Sequence, residues 1–404
     1  MPGKPGRTGN GVVQNSNPTG VMVGSKSLIV CGRTVRRWSA AAVLCLISLV
    51  PLGCSRFKPK PANQYLYVTA KTGFLRDRVA AVSNRTGNIT NGQRLKILDT
   101  RPRWYKVQTD AGEIGWIDEH AVVTQPIADE FDALAKQLEK TEPVASGTVR
   151  DDVYLHNKPG RETDRFYRLD EGDKLKLFQR ASTLKPLPPG TTAPTTDPKT
   201  GEAIPPPMED WWLVRDEKGR TGWMLGRMMD VDVPDSIARY AEGQRIVAAY
   251  VLTKVQDPEI EGATKDVPIY VTAMSPYKSG LPYDFDQLRV FTWNLKKHRY
   301  ETAQRDRNIA GYLPIKIHTD PGGMNGRQAV GPAPAYTYTV LAEGQQLPQA
   351  DANGIFKPGK LVEKTYRLEG NVTRRVLAPG ATAPAEFRLV QEEKKSARGR
   401  GRKK

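Results

Sequence analysis

The feature that most constrains the fold of this chain is an internal repeat interrupted by an insertion. Residues 104–107 (WYKV) precede Gly115-Trp116, and residues 211–214 (WWLV) precede Gly222-Trp223 with identical spacing, 107 residues later. Upstream of these motifs the two copies align at an offset of 80. The difference between the two offsets corresponds to a proline-rich insertion in the second copy. The repeat therefore predicts that one small structural unit occurs twice.

Each copy has the pattern of short β-strands joined by tight turns. Residues 93–98 and 104–108 alternate apolar and polar side chains, as half-buried strands do. Segments 110–112 and 217–219 end in glycine and predict hairpin turns with a positive φ at that glycine. The glycines that precede tryptophan predict close backbone approach at a barrel corner.

The order of these motifs (G-x-x-L-x-I/L, then W-x-x-V, then G-x-x-G-W) resembles the bacterial SH3-like (SH3b) domain family over residues 65–123 and 147–233. The resemblance implies small closed β-barrels that act as binding modules, often in envelope proteins. We expect an all-β chain of two tandem SH3-like barrels joined by a short helix, followed by a C-terminal β-rich domain over 234–390. The insertion, residues 181–208, is expected in a surface hairpin loop, because loop-closure entropy grows slowly with length.

The aromatic side chains of the repeat are the candidate ligand-binding residues. If Val107 and Val214 face the barrel cores, alternation turns Trp104 and Trp211 outward. In eukaryotic relatives this position stacks on ligand prolines, and an exposed indole suits a peptide or a sugar. For the tryptophans of the G-W motifs, packing in the core and a ligand platform both remain open. The full candidate set is Trp104, Tyr105, Trp116, Trp211, Trp212 and Trp223.

The segment between the copies, residues 124–146, has a helical stripe of apolar residues. Ile127, Phe131, Leu134 and Leu138 recur at intervals of four, three and four. We expect a short helical linker that packs on one barrel, with a partner-binding helix as the alternative.

The insertion contains residues 185–189 (KPLPP), which resemble a basic-flanked polyproline ligand. One hypothesis is that this loop docks on the first barrel or on a neighbouring molecule, giving self-association. The alternative is a loop without a partner.

The C-terminal third has strand patterns without a repeat. We expect a helical turn at 236–240 and an all-β domain arranged as a sandwich or a partial propeller-like sheet. Residues 283–308 look similar to a stretch found beside SH3-like repeats in acidobacterial envelope proteins, a resemblance that implies no activity. The expected strands are residues 244–252, 287–294, 300–317, 335–341 and 360–368.

The N-terminus has the pattern of a secretion signal. Three arginines at 33–37 precede an apolar run at 40–52, which at about 13 residues is too short to span a bilayer. Residues 51–54 (PLGC) resemble a bacterial lipobox, which implies a diacylglycerol on Cys54 and a membrane-anchored lipoprotein on the periplasmic side of the envelope. An ordinary signal peptide is the alternative. We therefore expect a disordered extension at 1–32, a signal peptide at 33–53 and a linker at 54–64.

Most of the net charge of +17 lies in the two ends of the chain. Residues 1–53 carry six Lys or Arg and no acid, and residues 394–404 carry seven and no acid. The body is only mildly basic, so nucleic acid is not an expected partner. We expect the tail, residues 391–404, to be disordered and either to adhere to anionic surfaces or to act as a solubilising tail.

The sequence lacks the usual motifs of catalysis. The four histidines form no metal-binding pair, there is no G-x-S-x-G elbow or Walker A loop, and no cysteine follows Cys54. We expect no catalytic residue, metal or cofactor. The predicted function is non-catalytic binding of peptidoglycan or of an envelope protein or peptide. The alternatives are a cell-wall hydrolase or hydrolase accessory protein, and a structural or assembly lipoprotein.

Overall fold

The structure, a computed structural model, describes residues 64–390 except 81, 193–194, 197–200, 202, 262–263 and 326–327. The expected extension (1–32), signal peptide (33–53), Cys54 and basic tail (391–404) lie outside the described residues, as does the expected linker (54–64) except for its last residue. In the part of the chain that the structure describes, no helix is long and apolar enough to cross a membrane.

The first repeat folds into a seven-stranded antiparallel barrel. Its sheet order is β3-β2-β6-β5-β4-β1-β7. A 3₁₀ turn at Glu119–Ala121 connects β6 to β7. Leu66, Leu75, Leu95 and Val107 fill its core. The strands are β1 (Tyr65–Val68), β2 (Thr72–Arg76), β3 (Arg85–Thr90), β4 (Arg94–Arg101), β5 (Trp104–Thr109), β6 (Ile114–Asp118) and β7 (Val122–Thr124).

The second repeat has the same strand order as the first, strand for strand: β10-β9-β13-β12-β11-β8-β14. Gly112 and Gly219 occupy matching hairpin turns at φ +87° and +82°. The predicted fold of two tandem SH3-like barrels is therefore confirmed. The strands are β8 (Ala145–Val149), β9 (Val153–His156), β10 (Arg165–Leu169), β11 (Lys174–Leu184), β12 (Met208–Asp216), β13 (Thr221–Leu225) and β14 (Met229–Val231).

The glycine before each G-W tryptophan allows two strands to cross closely. A Cβ on Gly115 would lie 2.6 Å from Leu75 Cβ, and a Cβ on Gly222 would lie 2.9 Å from Leu155 Cβ. Real Cβ contacts are not that short, so only glycine fits. Leu75 and Leu155 are aligned in the repeat, which shows that the same crossing was kept in both copies.

The proline-rich insertion extends the β11–β12 hairpin of the second barrel. Residues 184–190 are exposed, so KPLPP at 185–189 does not dock on the first barrel of the same molecule. Self-association through this loop stays a prediction.

The linker helix, α1 (Gln125–Gln137), packs on both barrels, so the expectation that it packs on one was wrong. Phe131 is buried edge-on against Phe166 and Tyr167 of the second barrel, with ring centroids 5.6 and 5.7 Å apart. Tyr67 of the first barrel donates a hydrogen bond to Gln125 at 2.8 Å. The apolar stripe is wide enough to face two surfaces at once.

A direct contact also joins the two barrels. The side-chain amide of Asn91 donates to the carbonyl of Phe166 and its oxygen accepts from the N–H of Arg168, both at 3.0 Å. The paired bonds fix the orientation of one barrel on the other.

The C-terminal domain begins with α2 (Asp235–Ala238) and is a single seven-stranded antiparallel sheet whose main strands follow chain order. Its all-β class is as expected, but it is neither a sandwich nor a propeller, because each main strand pairs with the next. The sheet curls until β15 contacts β18 and β21. The strands are β15 (Gln244–Gln256), β16 (Asp266–Pro276), β17 (Phe285–Asn294), β18 (Arg299–Asp320), the hairpin β19 (Gly323–Asn325) and β20 (Gln328–Val330), β21 (Ala333–Leu341), β22 (Leu361–Glu369) and β23 (Val372–Arg375).

A buried arginine links this domain to the second barrel. Arg180 donates to Asp284 at 3.0 Å and to the carbonyls of Leu281 and Tyr283 at 2.7 and 2.8 Å. It also lies 3.4 Å from Asp210, whose other oxygen accepts from Arg245 at 2.9 Å. The Arg180 side chain is only 5% exposed, so these protein oxygens take the place of water as its hydrogen-bond acceptors.

Candidate functional site

The two barrels carry clefts at equivalent positions, lined by Trp104 of β5 in the first barrel and by the aligned Trp211 of β12 in the second. The first cleft has a volume of about 520 Å³ and the second about 610 Å³. The aligned lining residues are Phe74 and Tyr154, Arg76 and His156, Trp104 and Trp211, and Ala121 and Met228. Both barrels therefore have an opening at the same place, and different side chains line it.

Trp104 lines the first cleft with a half-buried indole, on the strand face opposite Val107 as predicted. Phe74, on β2, is also partly exposed and lines the same cleft. Two aromatic rings are thus available to a ligand.

Trp211 does not face water, which corrects the sequence prediction. It lies opposite the core-facing Val214 as alternation requires, yet it is only 2% exposed. The outer face of the second barrel is covered by Leu134 and Leu138 at the end of α1, and by Ile355 of the C-terminal domain. The indole Nε1 has no hydrogen-bond partner among the described residues. Strand periodicity gave the correct face, but not what covers that face.

Trp212 is buried in the core of the second barrel, Tyr105 is half-buried against that of the first, and neither lines the first or the second cleft, so their assignment to ligand binding is corrected. Each lies on the same face as the core valine two residues later, and packs with it. Trp116 and Trp223 are 6% and 5% exposed. Trp116 lines the first cleft, whereas Trp223 packs with Trp211 under the linker helix.

Three arginines that sequence reasoning missed lie over the aromatic rings of the first cleft. Arg85 lies 4.2 Å from the ring centroid of Phe74, Arg101 lies 4.5 Å from that of Trp116, and Arg76 lies 5.7 Å from that of Trp104. Arg76 follows Phe74 by two residues on one strand, which places both side chains on one face. The two-residue spacing of Phe74 and Arg76 is the sequence signal that could have indicated this arginine.

The second cleft is polar and is shared with the first barrel. His156 Nδ1 lies 3.2 Å from the carbonyl oxygen of Thr163 and 3.0 Å from its hydroxyl oxygen. Burial lowers the pKa of His156, an effect that outweighs the hydrogen bond to Thr163. Arg161 is held by Glu209, from Nε to Oε2 at 2.8 Å. Glu119 and His120 of the first barrel close the other side.

His298 of the C-terminal domain lies between two carboxylates. His298 Nδ1 lies 2.7 Å from Asp257 and its Nε2 lies 3.0 Å from Glu259. The nearby Glu301 pairs with Lys297 at 3.1 Å. Among the described residues, no group of three or more His, Cys, Asp or Glu could hold a metal ion.

Comparison with known proteins agrees with the fold of the first repeat. The family model of the bacterial SH3 domain matches residues 72–123. Among curated proteins, none matches the chain.

Two solved structures align with a large part of the chain. One is an NlpC/P60 family protein from Bacillus cereus (10% identity, 60% of this chain and 99% of that one, TM-score 0.20). The other is NlpC2 from Trichomonas vaginalis (8% identity, 61% and 98%, TM-score 0.14). TM-scores this low carry no argument about fold or function. The family match and the strand order together identify residues 72–123 as a bacterial SH3 domain, and its topology is repeated in the second barrel.

Proposed function

We propose that this protein is a non-catalytic cell-envelope binding protein whose first cleft takes peptidoglycan or an envelope peptide. Bacterial SH3 domains commonly bind peptidoglycan or other wall components. The observation that carries the proposal is the pair of accessible rings, Trp104 and Phe74, in an open cleft of that domain. Rings of this kind offer a large contact area to a sugar or a peptide at low entropic cost.

The surroundings of His156 and His298 support binding over hydrolysis. The Thr163 hydroxyl lies 3.0 Å from His156, but its single proton is shared between the carbonyls of Gly160 and Lys158, at 2.7 and 2.9 Å. The imidazole therefore does not receive the hydroxyl proton, as a base that activates a nucleophile must. His298 is paired with two carboxylates instead of a hydroxyl or thiol.

An envelope location belongs to the same proposal and depends on Cys54. A thioether-linked diacylglycerol there would hold the barrels near the membrane surface. Incorporation of an alkyne-tagged fatty acid by wild type, and its loss in Cys54→Ser, tests the anchor. Labelling of the variant at the wild-type level would contradict it.

The binding proposal is tested by sedimentation with insoluble peptidoglycan sacculi. Wild type should pellet with sacculi, and Trp104→Ala should stay in the supernatant. Tyr277→Ala is the matched control, because Tyr277 is an aromatic residue that is 76% exposed and lies outside both clefts. Equal pelleting of wild type and Trp104→Ala would contradict the role of the cleft. Solubilisation of the sacculi by purified wild type would favour the hydrolase alternative.

A further inference from the structure

Three guanidinium groups lie over rings that line the first cleft and are not paired with acids. Among the described residues, no carboxylate lies within ion-pair distance of Arg76, Arg85 or Arg101. Other arginines of the same barrel are paired: Arg78 with Asp77 at 3.7 Å, Arg94 with Asp110 at 3.4 Å and Arg103 with Glu119 at 3.8 Å. The unpaired arginines of this barrel are thus the three that lie over rings of the first cleft.

Because they lie over rings and not beside acids, these guanidinium groups are available to bind an anion. A ring beneath a guanidinium holds its plane and leaves N–H donors at the edge, in a fork that matches a carboxylate or a phosphate. Arg76 uses one nitrogen for weak contacts, 3.3 Å to the Ser83 hydroxyl and 3.5 Å to the Ala80 carbonyl. Of the acids, Asp118 lines the cleft, and its Oδ1 accepts the N–H of His120 at 2.8 Å.

From this geometry we propose that the first cleft recognises oxyanions, carboxylate or phosphate, carried by an envelope polymer. Arg76, Arg85 and Arg101 bind the anionic groups, while Trp104 and Phe74 contact the neutral part of the same ligand. This rests on the proposed function and adds the ligand's charge to it. It also disfavours the KPLPP loop as an occupant, because Lys185 would meet three positive charges.

The second barrel keeps only part of this arrangement. Arg165 lies 4.9 Å from the ring of Tyr154, which repeats the pairing of Arg85 with Phe74. At the position of Arg76 it has His156, and at that of Arg101 it has Ala181, the residue paired with Trp211 across the hairpin. The anion site therefore belongs to the first cleft.

Sedimentation at one fixed ionic strength tests the proposal with three preparations of sacculi. One is untreated, one is stripped of phosphate-bearing polymers with hydrofluoric acid, and one has its carboxylates converted to neutral amides. Wild-type affinity should fall about tenfold on the amidated sacculi if the anion is a carboxylate, or on the stripped sacculi if it is a phosphate. Equal binding to all three would overturn the inference and leave the proposed function standing.

Charge-matched variants separate the site from the general basicity of the chain. Arg101→Gln and Arg85→Gln should each weaken binding several-fold, and Arg94→Gln, which removes the same charge elsewhere on the barrel, should not. Arg85 and Arg101 are both exposed, so thermal melts of their glutamine variants should match wild type. An equal loss in Arg94→Gln would overturn the inference. Capture of a labelled single-stranded oligonucleotide without any binding to sacculi would overturn the proposed function together with it.

Discussion

The imidazole of His156 meets the indole of Trp211 edge-on, with ring centroids 5.1 Å apart and planes at 73°. At the equivalent place in the first barrel, Arg76 lies over Trp104. One repeated position thus holds an aromatic pair with a buried indole in one copy and a charged, partly open pair in the other. The two copies share a fold and differ in what their clefts can bind.

The two leading tryptophans should differ in their effect on stability. Trp211→Ala empties a buried site and should lower the free energy of unfolding by about 3–5 kcal/mol. Trp104→Ala removes a half-buried ring at the edge of an open cleft and should cost clearly less. Urea unfolding of both variants measures the difference, and similar losses would show that Trp211 is not buried as described.

Arg180 should be essential to the contact between the second barrel and the C-terminal domain. Arg180→Met leaves Asp210 and Asp284 without this buried cation, a loss of about 3–5 kcal/mol in stability. The matched control is Arg150→Met, whose partner Asp230 is 61% exposed, and it should cost at most about 1 kcal/mol. Differential scanning calorimetry compares the two, and equal melting temperatures would contradict the prediction.

His156 should titrate below the ordinary histidine pKa of about 6.5. Burial is the largest cause of the lowered pKa, and Arg165 lowers it further. Below a pH of about 6.5 the imidazole binds a proton in the unfolded chain but not in the folded chain. The free energy of unfolding therefore falls as the pH drops toward the folded pKa. NMR titration of the imidazole C–H signals gives the pKa, and a value above 6.5 would refute the assignment.

His298 should show the opposite shift. The hydrogen bond to Asp257 is the largest cause that raises the pKa of His298, and Glu259 adds to it. The stabilisation is complete below the unfolded pKa and is lost as the pH rises through the folded pKa. Asp257→Asn should bring the pKa of His298 down toward 6.5 in the same NMR experiment. An unchanged pKa in that variant would rule out Asp257 as the cause.

Local periodicity determined much of the fold. The spacing of Gly115 and Gly222 before tryptophan predicted the close strand crossings, and the alternation around Val107 predicted which face Trp104 occupies. All five strand patterns predicted in the C-terminal third correspond to strands. These features depend on neighbours in sequence, and a strand's period of two is visible there.

Other features were decided by contacts between distant residues. β16 (Asp266–Pro276) was missed because it is buried on both faces and has no alternation. Arg101 of β4 lies over Trp116 of β6, with β5 between them, and no local sequence pattern indicates that contact. Trp211 is on the predicted face but is covered by α1 and by Ile355. Ile355 lies more than a hundred residues further along the chain. The sequence alone determined the repeat and the orientation of its side chains. The tertiary structure decided which face stays open, because coverage depends on how separate elements pack.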